Sequence, residues 1–348
     1  METIVLASGA TIPRIIKGGW QLAGGHGTVD HAAAINDMFA FAEGGVTAFD
    51  CADIYTGVES LIGDFLREWR RVHPSLADAI RVHTKCVPDL DRLSSLDARE
   101  IERIVDRSRR RLGVDVLDLV QLHWWDFGVA GYVHAAECLA ALRTKSSVRD
   151  IGLTNFDVPH LNEVLAAGVP VVTHQVQYSL LDRRPARAMS AACADSAIHF
   201  LAYGALAGGF LSESWLGRGE PAEPLENRSL TKYKLMIDEF GGWALYQRLL
   251  AAAHDIARAL HSTIGAVALR WVLDQSQVAA AIAGARNAKH LPATLGSLDL
   301  AVTDAQWATL DHVLADATGP AGDVYDLERG KGGRHAAIMR YNLNASDV

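Results

Sequence analysis

The chain has 348 residues and is 49% hydrophobic, which is long for one ordinary domain, normal for a single α/β barrel with insertions, and enough to bury a large core. Lys and Arg number 33 against 41 Asp and Glu, a formal net charge of −8. That balance argues against nucleic acid as a bulk partner, because neutralising phosphates takes a surplus of cations; it is compatible with one local basic pocket for a phosphorylated small molecule.

From the N-terminus, METIVLASGATIPR has neither a basic start nor a long apolar run, so no signal peptide is read, and no later stretch is apolar for long enough to span a bilayer. Short β-rich runs then alternate with helical patterns. The runs are IIKGGW (15–20), VTAFD (46–50), RVHTKC (81–86), VLDLVQLH (116–123), VRDIGLTN (148–155), VVTHQVQY (171–178), IHFLAY (198–203) and VAAAIAG (278–284). In 28–45, Ala32, Ile35, Phe39 and Ala42 share a helix face, with Thr28 or Asp30 as N-cap and Gly44 as stop. In 57–70, Leu61, Ile62, Phe65, Leu66 and Trp69 form a stripe; in 97–113, Asp97 and Glu100 have capping-box spacing and Gly113 ends the helix. Eight βα units around a parallel sheet predict a (β/α)8 barrel. A doubly wound sheet is the rival, but its G-x-G-x-x-G fingerprint is missing: Gly18, Gly19, Gly24, Gly25 and Gly27 have the wrong spacing.

Two segments break the rhythm. Residues 204–242 are too long for a simple connector and read as a functional loop or lid. Residues 317–348 are rich in Gly, charge and Asn, yet Tyr325, Leu327, Ile338, Met339, Tyr341 and Leu343 are apolar enough to dock, which predicts an ordered extension packed on a barrel of 1–316 and no second domain. Cys51, Cys86, Cys138 and Cys193 lack the close pairing of zinc or disulfide frameworks and read as reduced thiols of a cytoplasmic protein. The Arg109–Arg111 run reads as a solvated helix end.

Strand ends carry the chemistry, because barrel sites form at the C-terminal rim. Asp50 ends the second run, Lys85 lies at the end of the third and His123 ends the fourth; Asn155, Gln175, Tyr203 and Arg286 follow on later strands. Alternation in RVHTKC turns Lys85 to the barrel mouth, where Asp50 of the neighbouring strand is the obvious partner. Tyr55, five residues after Asp50, can fold back over the pair. A nearby ammonium lowers a phenol's pKa and makes it a better proton donor, while His123 can hydrogen-bond and orient a carbonyl oxygen. The set suits protonation of a carbonyl oxygen as hydride arrives, or the reverse.

The motifs FDCADIYTGVESLIG (49–63), HTK (83–85), QLHWWD (121–126), GLTNFD (152–157), QVQYSLLD (175–182), AYGALAGGFLS (202–212) and GARNAKH (284–290), in this order over roughly 1–315, resemble the aldo-keto reductases. The resemblance implies a (β/α)8 barrel that binds NADP(H) or NAD(H) without a Rossmann fold and needs no metal. It implies Tyr55 as general acid/base, Lys85 and Asp50 as its tuning pair, and His123 as carbonyl orienter. Thr154, Asn155 and Gln175 would hold the carboxamide and Tyr203 would stack on the nicotinamide ring, with Gly19, Trp20 and Asp50 also contacting the cofactor. Gly204, Ala205, Leu206 and Gly208 would meet the pyrophosphate, and Gly284, Ala285, Arg286, His290 and Thr294 the adenosine phosphate. Trp20, Trp124 and Trp125 would line the substrate cleft beside Tyr55 and His123, with one of the two adjacent tryptophans packing instead. His290 and Thr294 depart from the family's usual Gln or Arg and Asn; Arg286 with Lys289 still offers cations for a 2′-phosphate, which favours NADP(H). The implied partner is a small carbonyl or alcohol, with neither nucleic acid nor membrane. A cofactor-binding regulatory subunit and a metal-dependent barrel hydrolase are the competing functions; the intact four-residue set disfavours the first and the lack of a ligand cluster the second.

Overall fold

The structure, a computed structural model, describes residues 1–23, 27–285 and 287–344. A hairpin of β1 (Thr3–Val5) and β2 (Thr11–Pro13) precedes eight barrel strands: β3 (Ile15–Gly18), β4 (Ala48–Asp50), β5 (Arg81–Cys86), β6 (Leu117–His123), β7 (Val148–Thr154), β8 (Val171–Gln177), β9 (His199–Tyr203) and β10 (Val278–Gly284). The eight are parallel, each pairs with the next, and β10 closes on β3 through Ala281–Gly284 against Ile15–Gly18. This is the (β/α)8 barrel the alternating pattern predicts.

Strand alternation divides the apolar residues into two sets. Ile15, Phe49, Val82, Val120 and Ile151 face outward and pack under the helices. Ile16, Ala48, Leu119, Val172, Leu201 and Ala280 fill the interior, where Leu6 and Ile12 of the hairpin join them. Because the hairpin runs straight into β3, it closes the N-terminal end and leaves the C-terminal mouth free.

The helix ends follow local chemistry. Asp30, not Thr28, caps helix His31–Glu43, its carboxylate accepting from Ala33 N at 2.9 Å. Asp97 accepts from Glu100 N at 2.9 Å to start Ala98–Leu112, and Gly113 stops it at φ 64°, a conformation that costs an L side chain a steric penalty. Helix Val58–Val72 runs two residues past the predicted stripe. β3 stops at Gly18, and Trp20–Leu22 forms a short turn instead of continuing the predicted strand.

The described residues of both segments that broke the rhythm are ordered. The insert after β9 holds two short turns, Ala207–Gly209 and Glu213–Trp215, and helix Arg228–Phe240. The extension forms Asp326–Arg329 and Arg334–Ala337, crosses the barrel mouth and reaches the end of β5, where Asn344 bonds to Val87 O at 2.7 Å and its N–H to Asp89 Oδ1 at 3.0 Å. Among the described residues no helix is long and apolar enough to cross a membrane.

Candidate active site

The parity that puts Ala48 and Leu119 inside the barrel also turns Asp50, Lys85, Gln121 and His123 inward at the mouth. Pairing of Asp50 with His83 sets β5 so that Lys85, two residues on, rises beside the carboxylate. Lys85 Nζ donates to Asp50 Oδ2 at 2.7 Å and to Cys51 O at 2.8 Å. Both side chains are buried, so the pair sits where Coulomb attraction is strong and loss of either partner is costly. The other oxygen of Asp50 accepts from Gln175 Nε2 at 2.6 Å and Gln121 Nε2 at 3.4 Å, and Gln175 also donates to Gln121 Oε1 at 3.2 Å. Gln175, expected at the carboxamide, therefore directs its amide N–H groups at Asp50 and Gln121.

Tyr55 lies on the turn that leaves β4, fixed by Tyr55 N to Ala52 O at 3.0 Å and Val58 N to Tyr55 O at 3.0 Å. Its ring centroid is 5.3 Å from Lys85 Nζ and 5.0 Å from the Trp20 ring, edge to face. Burial pulls the Lys85 ammonium down, but Asp50 and Tyr55 together outweigh it, and the group sits above its ordinary value. The phenol behaves differently from expectation. Burial pushes Tyr55 up, Lys85 pulls it back only in part, and the net shift is upward. The lysine thus offsets desolvation instead of producing a lowered pKa.

His123 carries the second departure. Its Nδ1 lies 3.4 Å from Thr154 O, and a carbonyl can only accept, so Nδ1 bears the proton. Burial and then the Arg329 cation push the imidazole down to about 3, so it is neutral at working pH. Nε2 is buried without a hydrogen-bond partner and carries a lone pair. In this tautomer Nε2 can accept from a substrate hydroxyl, while orienting a carbonyl oxygen, as expected, would need the ring proton on Nε2 instead.

The expected cofactor residues fall along the same rim. Gly19 N donates to Asp50 O at 2.7 Å, and a Cβ there would lie 2.8 Å from that oxygen, so only glycine fits. Thr154 Oγ1 donates to Gln175 O at 3.1 Å; Asn155, at φ 61°, accepts from Tyr203 Oη at 2.9 Å. Gly204 and Gly208 have φ of 74° and 64° and lie against the Tyr233 ring, with Ala205 buried and Leu206 half-buried between them. Gly284 faces the Gln21 side chain, and Ala285 O accepts from Lys17 Nζ at 2.6 Å. His290 is exposed and Thr294 buried. Arg286 lies outside the described residues.

Of the adjacent tryptophans, Trp124 packs: it is fully buried, its Nε1 donating to Val129 O at 2.9 Å and Asp126 O at 3.1 Å, which removes it from the expected cleft. Trp125 reaches the site, edge-on to His123 at 4.3 Å. The extension adds residues that sequence reasoning did not assign. Tyr325, at φ 65°, stands edge-on to His123 at 5.5 Å, and Tyr341 packs on Trp125 at 5.0 Å. Lys232 Nζ lies 5.1, 5.8 and 5.7 Å from the rings of Tyr203, Tyr233 and Tyr325 and 3.7 Å from buried Glu328, which also faces Arg184 at 3.6 Å. Gln121 was discoverable, since it shares the inward parity of His123. Tyr325 and Glu328 gave no local signal, because they reach the mouth only by the fold of the extension.

Three buried imidazoles make the site acid-sensitive. Burial first of all pushes His83 down to about 4 and His123 and His174 down to about 3. An unfolded imidazole titrates near 6.5, so between about 6.5 and 3 the unfolded chain binds the extra proton. Their contribution is full above that window and is lost as pH falls through it. His174→Gln should therefore flatten the fall in urea-unfolding stability between pH 6 and 4 relative to the unmodified chain, by up to about 1.4 kcal/mol per pH unit. Identical slopes would show that His174 is not held neutral.

The Aldo/keto reductase family model matches residues 14–315. Among curated relatives, the chain is 26% identical to the NADH-specific methylglyoxal reductase of Escherichia coli over 88% of this chain and 96% of that protein, and 25% identical to the aldo-keto reductase YhdN of Bacillus subtilis over 91% and 96%. The solved structure of a glycerol dehydrogenase from Gluconobacter oxydans superposes with a TM-score of 0.77 at 23% identity, covering 92% of this chain and 97% of that one. A match spanning all eight barrel strands, on a closed parallel barrel with a charged pair at its mouth, assigns the chain to the aldo/keto reductase family.

Proposed function

We propose that this NAD(P)(H)-dependent oxidoreductase reduces a small aldehyde, ketone or sugar carbonyl to the alcohol, or runs the reverse, with Tyr55 as general acid/base and NADP(H) as the preferred cofactor in the cytoplasm. The observation that carries the reading is the buried Lys85–Asp50 pair at 2.7 Å directly beneath the Tyr55 ring. The residues at the mouth fit a dinucleotide. Gln21 Oε1 and His123 Nε2 are buried polar atoms without hydrogen-bond partners among the described residues, which a bound dinucleotide and its substrate would meet.

When bound, the reduced nicotinamide supplies hydride to the carbonyl carbon. Tyr55 gives its phenolic proton to the carbonyl oxygen, and Lys85 stabilises the phenolate that this leaves. Asp50 keeps the ammonium protonated and pointed at Tyr55. His123 Nε2 accepts from the hydroxyl that forms, which favours the alcohol in the closed complex. Trp20, Trp125 and Tyr325 exclude water around these groups.

The relatives differ in cofactor: one is named NADH-specific, another, from Schizosaccharomyces pombe at 26% identity over 85% of this chain and 86% of that protein, is named with NADP(+). Exposed Lys289 beside the end of β10 supports NADP(H) here. Fluorescence titration with NADPH and NADH, followed by a panel of aldehydes, ketones and aldoses, tests the reading. Tighter NADPH binding with turnover of at least one carbonyl class is expected; tight binding with no turnover across the panel would sink it.

A further inference from the structure

Lys17 is a buried lysine that the chemistry above does not use. It lies on β3 with its side chain on the outer face of the barrel, under helix His31–Glu43, and is 3% exposed. Its ammonium runs up to the C-terminal end of the strand. There Nζ donates to Gly18 O at 2.8 Å and to Ala285 O at 2.6 Å, and it faces the Phe41 ring at 5.4 Å. Among the described residues no carboxylate forms an ion pair with it. The nearest acidic influence is Asp37, one helical turn from Phe41, and that carboxylate is committed elsewhere: its Oδ1 accepts from Ala288 N at 3.0 Å.

These contacts form a bracket. Lys17 grips the chain leaving β10 at Ala285, and Asp37 grips it again at Ala288, three residues on. Gly284, Asn287 and Lys289, beside these two anchors, are exposed, which leaves an open side opposite the barrel wall. A fully buried ammonium is an expensive way to hold two carbonyls, since an apolar side chain of equal length would pack under Phe41 at no desolvation cost. Burial depresses the group to about 8, only partly opposed by Asp37, which agrees with a cation lacking a direct counter-charge.

We propose that Lys17 is a positioning and affinity residue for the adenosine end of the dinucleotide: it fixes the Ala285 carbonyl and holds an unneutralised positive charge directly behind the loop that takes the adenosine phosphate. The inference rests on the reading that residues 284–290 form that subsite. It adds a charge from the strand behind the loop to those on the loop itself, and a phosphate brought to the open side feels both.

The test uses the full chain and its Lys17→Met, Lys17→Arg and Lys289→Ala variants. Adenosine 2′,5′-bisphosphate and reduced nicotinamide mononucleotide are titrated separately by calorimetry, and Tm and kcat at saturating NADPH are measured alongside. Lys17→Met should weaken the bisphosphate about tenfold. It should leave the mononucleotide and the saturated kcat unchanged and keep or raise Tm, because the buried charge is gone. Lys17→Arg should recover part of the bisphosphate affinity. Wild-type affinity in Lys17→Met overturns the proposal, and so does a fall in Tm, kcat and both affinities together, which marks a purely structural lysine. Lys289→Ala separates the proposal from the reading beneath it. If that variant binds the bisphosphate like the unmodified chain, the subsite itself is misplaced. If it binds weakly while Lys17→Met does not, the subsite stands and the role of Lys17 fails.

Discussion

Tyr55→Phe should lower turnover by about 10² to 10⁴-fold, the usual worth of a positioned general acid, while NADPH affinity stays within about twofold. The substitution removes one oxygen and keeps the ring, so the edge-on contact with Trp20 at 5.0 Å and the stack over Lys85 survive. What is lost is the proton delivered to the carbonyl oxygen. Because burial holds the phenol above its ordinary pKa, the acid form predominates across the neutral range, and loss of this proton is not masked by partial ionisation. Stopped-flow hydride transfer at saturating carbonyl reads the effect directly. Unchanged turnover would move the acid to another group, and a parallel loss of cofactor affinity would make Tyr55 a binding residue instead.

The second large effect concerns the pair beneath it. Lys85→Met leaves Asp50 buried without its cation and facing only the amides of Gln175 and Gln121. Removing one member of a buried pair costs about 3–5 kcal/mol. Stability should fall by that order in urea unfolding, and kcat should fall by about 10²-fold or more because nothing then opposes desolvation of the phenolate. Asp50→Asn added to Lys85→Met removes the stranded charge. The double variant should regain most of the stability and none of the activity. That split separates the two duties of the pair: holding each other folded and tuning Tyr55. Recovery of activity in the double variant would show that the charge on Lys85 is dispensable to the chemistry.

Much of this site could be read from residue order because a barrel converts strand parity into position. Asp50, Lys85 and His123 are polar residues in apolar runs, at run ends, and their parity turns all three to one mouth. The same parity separates the tryptophans. Residue 125 shares the side of residue 123, so Trp125 meets His123 and Trp124 turns away to pack. The sign of the Tyr55 shift was not readable, because it depends on how deeply the ring is buried, a property of the whole mouth and not of the Lys–Tyr spacing. Nor was the tautomer of His123, which is set by the Thr154 carbonyl on the neighbouring strand. Tyr325 lay furthest from reach. It stands on His123 only because Arg329 Nη2 bonds to Trp124 O at 2.8 Å and Glu328 meets Arg184 and Lys232, contacts that join residues more than ninety positions apart.

The closure of β3 on β10 has a consequence for how the protein comes into being. A nascent chain that has left the ribosome as far as β9 holds seven of the eight barrel strands yet has an open ring, with the hydrogen-bonding edges of β3 and β9 bare until β10 arrives. The mouth is completed later still, once Tyr325, Glu328 and Asn344 have emerged to cover it. The exposure of two unpaired strand edges therefore lasts until β10 has emerged. In that interval the growing chain is most in need of a chaperone, and a stall between β9 and β10 leaves the species most prone to pair with a second copy.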